Sequence, residues 1–218
     1  MPDTGRIPIK NLNLRPQSAD PLIWGQKIAA EDCAVVRQVA SEILADANDM
    51  MACMAWESMR TFSPKQKNLA GSSGTGPIQI MRDTAKITPE IYRYCTAKFP
   101  QEKIKHWSLD EQIDHIMADI IPNMTFKEYM YHITLPHFKP YRGRVDNLPD
   151  LYCSILYPAA IGQRPNYTFF IKDTNNPVRL KQYIQNKGLD ANKDGIITKQ
   201  EACAPVLREY EEGKNWQR

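Results

Sequence analysis

The feature that most constrains the fold of this chain is a helical repeat of apolar residues, which prolines interrupt. In the segment that begins at Ala19, apolar side chains recur close to every 3.6 residues and share one helical face: Ile28, Val35, Val39 and Ile43. No long segment alternates between apolar and polar residues, as a half-buried strand does. The sequence therefore predicts a mainly α fold, α+β at most, with at most a small β element near residues 73–81.

Four further helices are expected along the chain. The first runs from Asn48 to Phe62 and ends at Ser63-Pro64, because a proline disfavours the helical conformation of the residue before it. Ser108 is an expected N-cap for the next one. The other three helical segments are Leu109–Ile121, Thr125–His137 and Leu148–Tyr157.

The overall charge argues against nucleic-acid binding. The chain has 28 Lys and Arg against 25 Asp and Glu, a formal net charge of +3, whereas nucleic-acid-binding domains carry a concentrated basic stripe. The five cysteines include no C-x-x-C pair, which removes the common zinc and redox patterns, so reduced thiols are expected. No stretch approaches the roughly 20 apolar residues of a membrane span.

Polar residues from Asp173 to Pro177 mark the best candidate for a domain boundary. They divide the chain into an N-terminal arm over residues 1–20, a body over residues 21–174 and a C-terminal segment over residues 175–218.

The C-terminal segment contains a calcium-binding pattern. Residues 190–201 read D-A-N-K-D-G-I-I-T-K-Q-E, which matches the EF-hand loop at every specified position. Gly195 permits the sharp turn, and Ca²⁺ takes roughly six to eight oxygen ligands. Six residues are predicted to supply them, Ile196 through its backbone carbonyl: Asp190, Asn192, Asp194, Ile196, Thr198 and Glu201. With helices expected at Val178–Asn186 and Thr198–Glu211, the pattern predicts an EF-hand-like helix-loop-helix that binds Ca²⁺ as a structural clamp.

A second candidate site centres on Glu57, near the end of the expected helix that starts at Asn48. Its neighbours include Met54, Trp56 and Met59. Apolar surroundings raise the pKa of a carboxyl group, because desolvation disfavours its charged form. A carboxylic acid that stays protonated near neutral pH can donate a proton to a glycosidic oxygen. The residues alone are also compatible with a solvated glutamate at a helix end.

Three short patterns accompany this glutamate. They are Glu57-Ser58, then Gly76-Pro-Ile-Gln79-Ile80, then L-Y-C-S-I-L-Y-P-A-A-I-G-Q-R-P-N-Y at residues 151–167. Together they resemble the active-site motifs of the goose-type lysozyme and soluble lytic transglycosylase superfamily, over roughly residues 22–172. Combined with the EF-hand-like segment, the chain looks like the cell-wall-degrading domains of bacteriophage particles and lysis proteins. It departs from the family at Pro158, where the third motif has Asn.

The resemblance implies a lysozyme-like fold and cleavage of the β-1,4 bond between N-acetylmuramic acid and N-acetylglucosamine in peptidoglycan. Glu57 would be the catalytic acid. The substrate-binding residues would be Ser58, Gly76, Gln79, Ile80, Tyr157 and Tyr167. No spacing selects a second carboxylate among Asp83, Asp146 and Asp150, which favours a lytic transglycosylase over a hydrolytic muramidase.

The alternative function is a non-catalytic module that binds cell wall or calcium on a lysozyme scaffold. The proline at Pro158, where the family has Asn, keeps this alternative open.

The first 21 residues have no apolar core long enough for a signal peptide, so synthesis in the cytoplasm is expected. Delivery to the wall would then occur by phage lysis, in a phage particle or through a secretion machine. The last route implies a cognate immunity protein.

Overall fold

The computed structural model describes residues 20–69 and 71–218, and most of these residues are helical, which confirms the mainly α fold class. The α-helices, in chain order, are α1 (Ala30–Ile43), α2 (Ala47–Glu57), α3 (Arg82–Ile87), α4 (Pro89–Thr96), α5 (Gln101–Ile104), α6 (Leu109–His115), α7 (Phe126–Tyr129), α8 (Leu135–Phe138), α9 (Leu148–Leu156), α10 (Pro177–Asn186) and α11 (Lys199–Gly213). No helix in these ranges is long and apolar enough to span a membrane. The N-terminal arm expected over residues 1–20 lies, apart from Asp20, outside the described residues.

The first helix begins at Ala30 and not at Ala19, so this part of the prediction is wrong. Trp24 has a left-handed backbone, with a φ of 59°, and leads into a 3-10 turn at Gly25–Lys27. A left-handed residue cannot continue a right-handed helix. The apolar repeat still marks the buried face of α1, where Val39 is fully buried.

Helix α2 carries Glu57 as its last residue. Asp46 caps its start by accepting a hydrogen bond from a backbone amide of the first turn, and its methionines are fully buried. The helix ends more than one turn before Phe62, where the sequence places its end, and that expectation is wrong. The physical reason is the backbone after Glu57, which is left-handed at Met59 and Arg60.

The later helical segments lie where the sequence predicts them. Ser108 and Glu111 form a capping box at the start of α6, which continues through a π-helical turn at Ile116–Ile120. A second π-helical turn, Met130–Thr134, joins α7 to α8.

A two-stranded antiparallel sheet joins the body to the C-terminal segment. Strand β1 (Thr168–Ile171) pairs with β2 (Ile196–Thr198), and Phe170 lies opposite Ile197. Strand β2 lies inside the predicted calcium loop, so the loop is paired to the body.

Among its described residues, the glycine-rich loop after α2 contains only isolated β-bridges, so the small β element lies mainly elsewhere. Thr75 bridges both Lys67 and Ile80. The backbone is left-handed at Gly76 and Gln79, with φ of 84° and 49°, which prevents the bridges from extending into a strand.

Helix α11 packs against α2 and α9, so the C-terminal segment shares the core of the body. The Nε1 of Trp24 donates a 2.9 Å hydrogen bond to the Glu209 carbonyl. Leu22 and Arg218 exchange backbone hydrogen bonds of 2.8 and 3.1 Å. Residues on α11 therefore lie close to the end of the helix that carries Glu57.

Candidate active site and candidate calcium loop

Glu57 lies at the end of α2 with its side chain half-buried. Burial raises the pKa of its carboxyl group to about 7, and a hydrogen bond from the Tyr152 hydroxyl opposes the increase. A carboxyl group with this pKa can both donate and accept a proton near neutral pH.

Tyr152, on α9, links Glu57 to Trp56. Its buried hydroxyl accepts a 3.0 Å hydrogen bond from Nε1 of Trp56, which leaves its own proton for the Glu57 carboxylate. The sequence reasoning missed Tyr152. The sequence contains one indication of its role, which is a tyrosine in the middle of an apolar helix. The hydroxyl of a buried tyrosine usually needs a hydrogen-bond partner.

The two tyrosines that the resemblance selects have other neighbours. The ring of Tyr157 lies 5.3 Å from that of Phe169 and 5.5 Å from that of Phe170. The ring of Tyr167 lies 6.5 Å from that of Phe169. These ring contacts brace β1 and do not include Glu57.

The turn that follows Glu57 has a strained backbone. Met59, Arg60 and Phe62 have φ of 52°, 63° and 51°, and such a conformation costs a non-glycine residue on the order of 1–3 kcal/mol. The Oγ of Ser58 stabilises the turn by donating to a carbonyl of α2 at 2.6 Å and accepting from the Phe62 amide at 3.0 Å. Ser58 therefore supports the backbone beside Glu57.

Gly76 is fixed by a close contact with Tyr129. Its φ is 84°, and a Cβ atom at this position would lie 2.2 Å from the Tyr129 ring, so only glycine fits. The fully buried Tyr129 also donates a 2.9 Å hydrogen bond to the Thr75 carbonyl. Because the charge of Glu57 acts on the Tyr129 hydroxyl, this loop lies near the candidate acid.

Gln79 closes the same loop. Its Nε2 donates to the carbonyls of Gly76 and Gln66 at 2.9 and 3.2 Å. Its Oε1 is buried and has no hydrogen-bond partner among the described residues, which is costly for a carbonyl oxygen. The side chain of Ile80 is buried in the core, and its backbone pairs with Thr75.

A cavity of about 220 Å³ adjoins the end of α2. Its lining consists of Ala55, Trp56, Met59, Arg60 and Glu209. Trp56 and Met59 expose 37% and 48% of their surface, so two large apolar side chains close to Glu57 in sequence face solvent. A larger cavity of about 650 Å³ is lined in part by His137, Ser154 and Ile155 and does not include Glu57. Glu57 does not line the smaller cavity either, but residues close to it in sequence do.

The loop at residues 190–201 makes the sharp turn that its pattern predicts, with a φ of 85° at Gly195. Oδ2 of Asp190 accepts hydrogen bonds from the Tyr183 hydroxyl at 2.7 Å and the Gly195 amide at 3.0 Å. Oε2 of Glu201 accepts from the amide and hydroxyl of Thr198 at 3.0 and 2.8 Å. The other carboxylate oxygen of each acid, Oδ1 of Asp190 and Oε1 of Glu201, is buried without a partner among the described residues.

These two carboxylate oxygens at the ends of the loop are the observation that fits a cation. An unpartnered buried carboxylate oxygen is costly, and Ca²⁺ takes carboxylate oxygens as ligands. Asp194 accepts hydrogen bonds from Asn192 at 3.0 Å and from the Ile196 amide at 2.8 Å. Three or more acidic, His or Cys side chains do not converge on one point within the described residues. The donor types are those that Ca²⁺ takes. For an ion to bind, these side chains would have to converge, and Asp194 and Asn192 would have to exchange their hydrogen bonds for the ion.

The predicted calcium loop is anchored to the body by a buried ion pair. The Nζ of Lys199 donates to Oδ1 of Asp150 at 2.5 Å and to two backbone carbonyls of the body. Burial tends to raise the pKa of Asp150, but hydrogen bonds from Lys199 and its other neighbours outweigh that effect, and the pKa is lowered. Asp150, a candidate second carboxylate by type, is thus paired with Lys199.

Comparisons with family models, with curated protein sequences and with solved structures find no match to this chain.

Proposed function

We propose that this protein cleaves the glycan strands of peptidoglycan, with Glu57 as the single catalytic carboxyl group. The observation that carries the proposal is the position of Glu57. Its carboxyl group is desolvated, so its pKa is about 7, yet the side chain remains partly exposed, and residues close to it in sequence line a cavity. A general acid needs both properties, because it must hold a proton near neutral pH and touch the substrate.

The proposed reaction is that of a lytic transglycosylase. Protonated Glu57 donates its proton to the oxygen between N-acetylmuramic acid and N-acetylglucosamine as that bond breaks. The resulting carboxylate accepts the proton of the muramyl C6 hydroxyl, whose oxygen bonds to C1 and closes a 1,6-anhydro ring. This outcome, rather than hydrolysis by a muramidase, is supported by the pairing of Asp150 with Lys199, because a hydrolase usually employs a second carboxylate.

The predicted substrate-binding residues have two roles in this proposal. Residues that shape the backbone around the acid are Ser58, Gly76, Gln79 and Ile80. Tyr157 and Tyr167 contact a sugar or stabilise developing positive charge only if the glycan extends toward β1. Trp56 and Met59 are added to the set because they are exposed, lie close to Glu57 in sequence and line the same small cavity, and an aromatic face offers a large apolar surface to a sugar ring.

The proposal includes one Ca²⁺ ion with a structural role. It would be held by Asp190, Asn192, Asp194, the Ile196 carbonyl, Thr198 and Glu201. The ion would supply positive charge to carboxylates that are costly to bury unpaired.

The protein would act on the cell wall outside the cytoplasm, after phage lysis, in a phage particle or through a secretion machine. The last route would add an immunity protein as a partner.

The test is turbidity loss of purified cell walls by the wild type and by Glu57→Gln. We expect clearing by the wild type and none by the variant. Absence of clearing by the wild type would contradict the proposal.

A second candidate is a wall-binding module without activity, favoured by Pro158 in the third motif and by the packing of Tyr157 on Phe169. It predicts that the wild type sediments with cell walls and clears none of them.

A further inference from the structure

Glu209, on α11, makes a buried and well-oriented contact with the strained turn after Glu57. Its two carboxylate oxygens accept hydrogen bonds from Nε and Nη2 of Arg60 at 2.9 and 3.0 Å, the bidentate geometry of a strong pair. The Glu209 side chain is only 11% exposed, against 47% for Arg60. A carboxylate that is so nearly buried is costly unless it is paired.

Arg60 is part of the backbone that fixes the end of α2. Its φ is 63°, and its amide donates a 2.7 Å hydrogen bond to the Ala55 carbonyl. Its guanidinium lies 5.0 Å from the ring centre of Trp24, whose Nε1 donates to the Glu209 carbonyl. A non-glycine residue keeps a left-handed backbone only where its neighbours stabilise that conformation. Glu209 contributes to this stabilisation through its bidentate ion pair with Arg60.

We infer that Glu209 is a positioning residue, which holds Glu57 in place through Arg60. Arg60 follows Glu57 in the same turn, so a change in its backbone moves the carboxyl group and admits water to it. The inference deepens the proposed function and rests on it for its kinetic consequence, whereas its structural consequence can be measured without substrate.

The other groups around Glu57 cannot replace this effect near neutral pH. The titratable groups that its charge acts on are Cys53 on α2, Tyr129 on α7 and Tyr152 on α9. Burial raises the pKa of all three, so they stay protonated. Loss of Glu209 would relax the turn and admit water to the Glu57 carboxyl group, and that hydration favours the charged form of Glu57.

The experiment measures the pKa of Glu57 by carbon-13 NMR of the glutamate carboxyl groups, with Glu57→Gln to assign the signal. The variants are Glu209→Gln and the double variant Arg60→Met/Glu209→Leu, in which no unpaired charge remains. We expect the pKa of Glu57 to fall in both, by about one unit or more from about 7 toward 4.5. Glu211→Gln is the matched control, because Glu211 is an exposed α11 carboxylate that pairs with Lys214.

An unchanged Glu57 pKa in folded Glu209→Gln would overturn the inference, and so would an unchanged pKa in the double variant. If neither variant folds, Arg60→Lys keeps the charge but loses the bidentate fork, and the same fall in pKa is expected. The pH–rate profile of wall clearing gives a second readout, in which the basic limb moves to lower pH with the pKa. If the wild type clears no wall, the proposed function fails, while the NMR result still decides the role of Glu209.

Discussion

The hydroxyl of Tyr152 lies between Nε1 of Trp56, from which it accepts a hydrogen bond, and the carboxyl group of Glu57, to which it donates. Burial and this hydrogen bond act on Glu57 in opposite directions. Burial has the larger effect, and the pKa rises to about 7. The acidity of the candidate catalytic group is therefore set by two helices, α2 and α9.

Replacing Tyr152 with Phe removes the hydrogen bond and should raise the pKa of Glu57 further. Because a general acid works in its protonated form, the basic limb of the pH–rate profile for wall clearing should move up by about 0.5–1 unit. Tyr131→Phe is the matched control, since the Tyr131 hydroxyl donates to Gln38 on α1 and has no role in the proposed site. A downward or absent shift in Tyr152→Phe would show that the hydroxyl does not act on Glu57.

Replacing Glu57 with Gln should stabilise the protein at high pH. The pKa of Glu57 is about 7 in the folded state, against an ordinary value of 4.5. The folded state therefore binds more protons between these values, and stability falls as pH rises through them. At pH 8 the cost is at most about 3 kcal/mol. Urea unfolding should show a stabilisation by Glu57→Gln that is larger at pH 8 than at pH 4.5. An equal difference at the two pH values would mean that the Glu57 pKa is not raised.

Calcium should stabilise the folded protein. An ion that binds only the folded state at about 100 times its Kd adds about 2.7 kcal/mol. For a chain of this size that corresponds to a Tm increase of about 5 °C or more relative to EGTA. Glu201→Gln should abolish the increase, whereas Asp173→Asn, outside the loop, should keep it. A wild-type Tm that is the same in Ca²⁺ and EGTA would contradict the calcium site.

Gly76 and Gly71 provide a matched pair of alanine substitutions. Both have positive φ, 84° and 82°, but an added Cβ at Gly76 meets the Tyr129 ring, whereas at Gly71 nothing lies within 4 Å. Gly71→Ala should cost about 1 kcal/mol of unfolding free energy. Gly76→Ala should cost several times more and reduce wall clearing, because it displaces the loop beside Glu57. Equal costs in thermal unfolding would show that the contact with Tyr129 is not structurally important.

Local patterns predicted much of the helical fold. Three predicted features depend on residues within a few positions of each other: the N-cap at Ser108, helix α9 and the glycine turn of the predicted calcium loop. The end of α2 could not be predicted in this way. It is set by the strained turn at Met59 and Arg60, which contacts distant in sequence hold in place.

The candidate site also combines residues that can be predicted from the local sequence with residues that cannot. Glu57 could be selected from its apolar neighbours in sequence and from the motif. Tyr152 and Glu209 could not, because they reach the end of α2 from α9 and α11 through tertiary packing. A sequence motif marks the reacting group more readily than the residues that set its pKa.

The most direct test of the central claim is mass spectrometry of the products released from purified peptidoglycan. The account predicts disaccharide muropeptides with 1,6-anhydro-N-acetylmuramic acid ends from the wild type and none from Glu57→Gln. Release of the same products by Glu57→Gln, or of none by the wild type, would contradict the assignment of Glu57 as the catalytic acid.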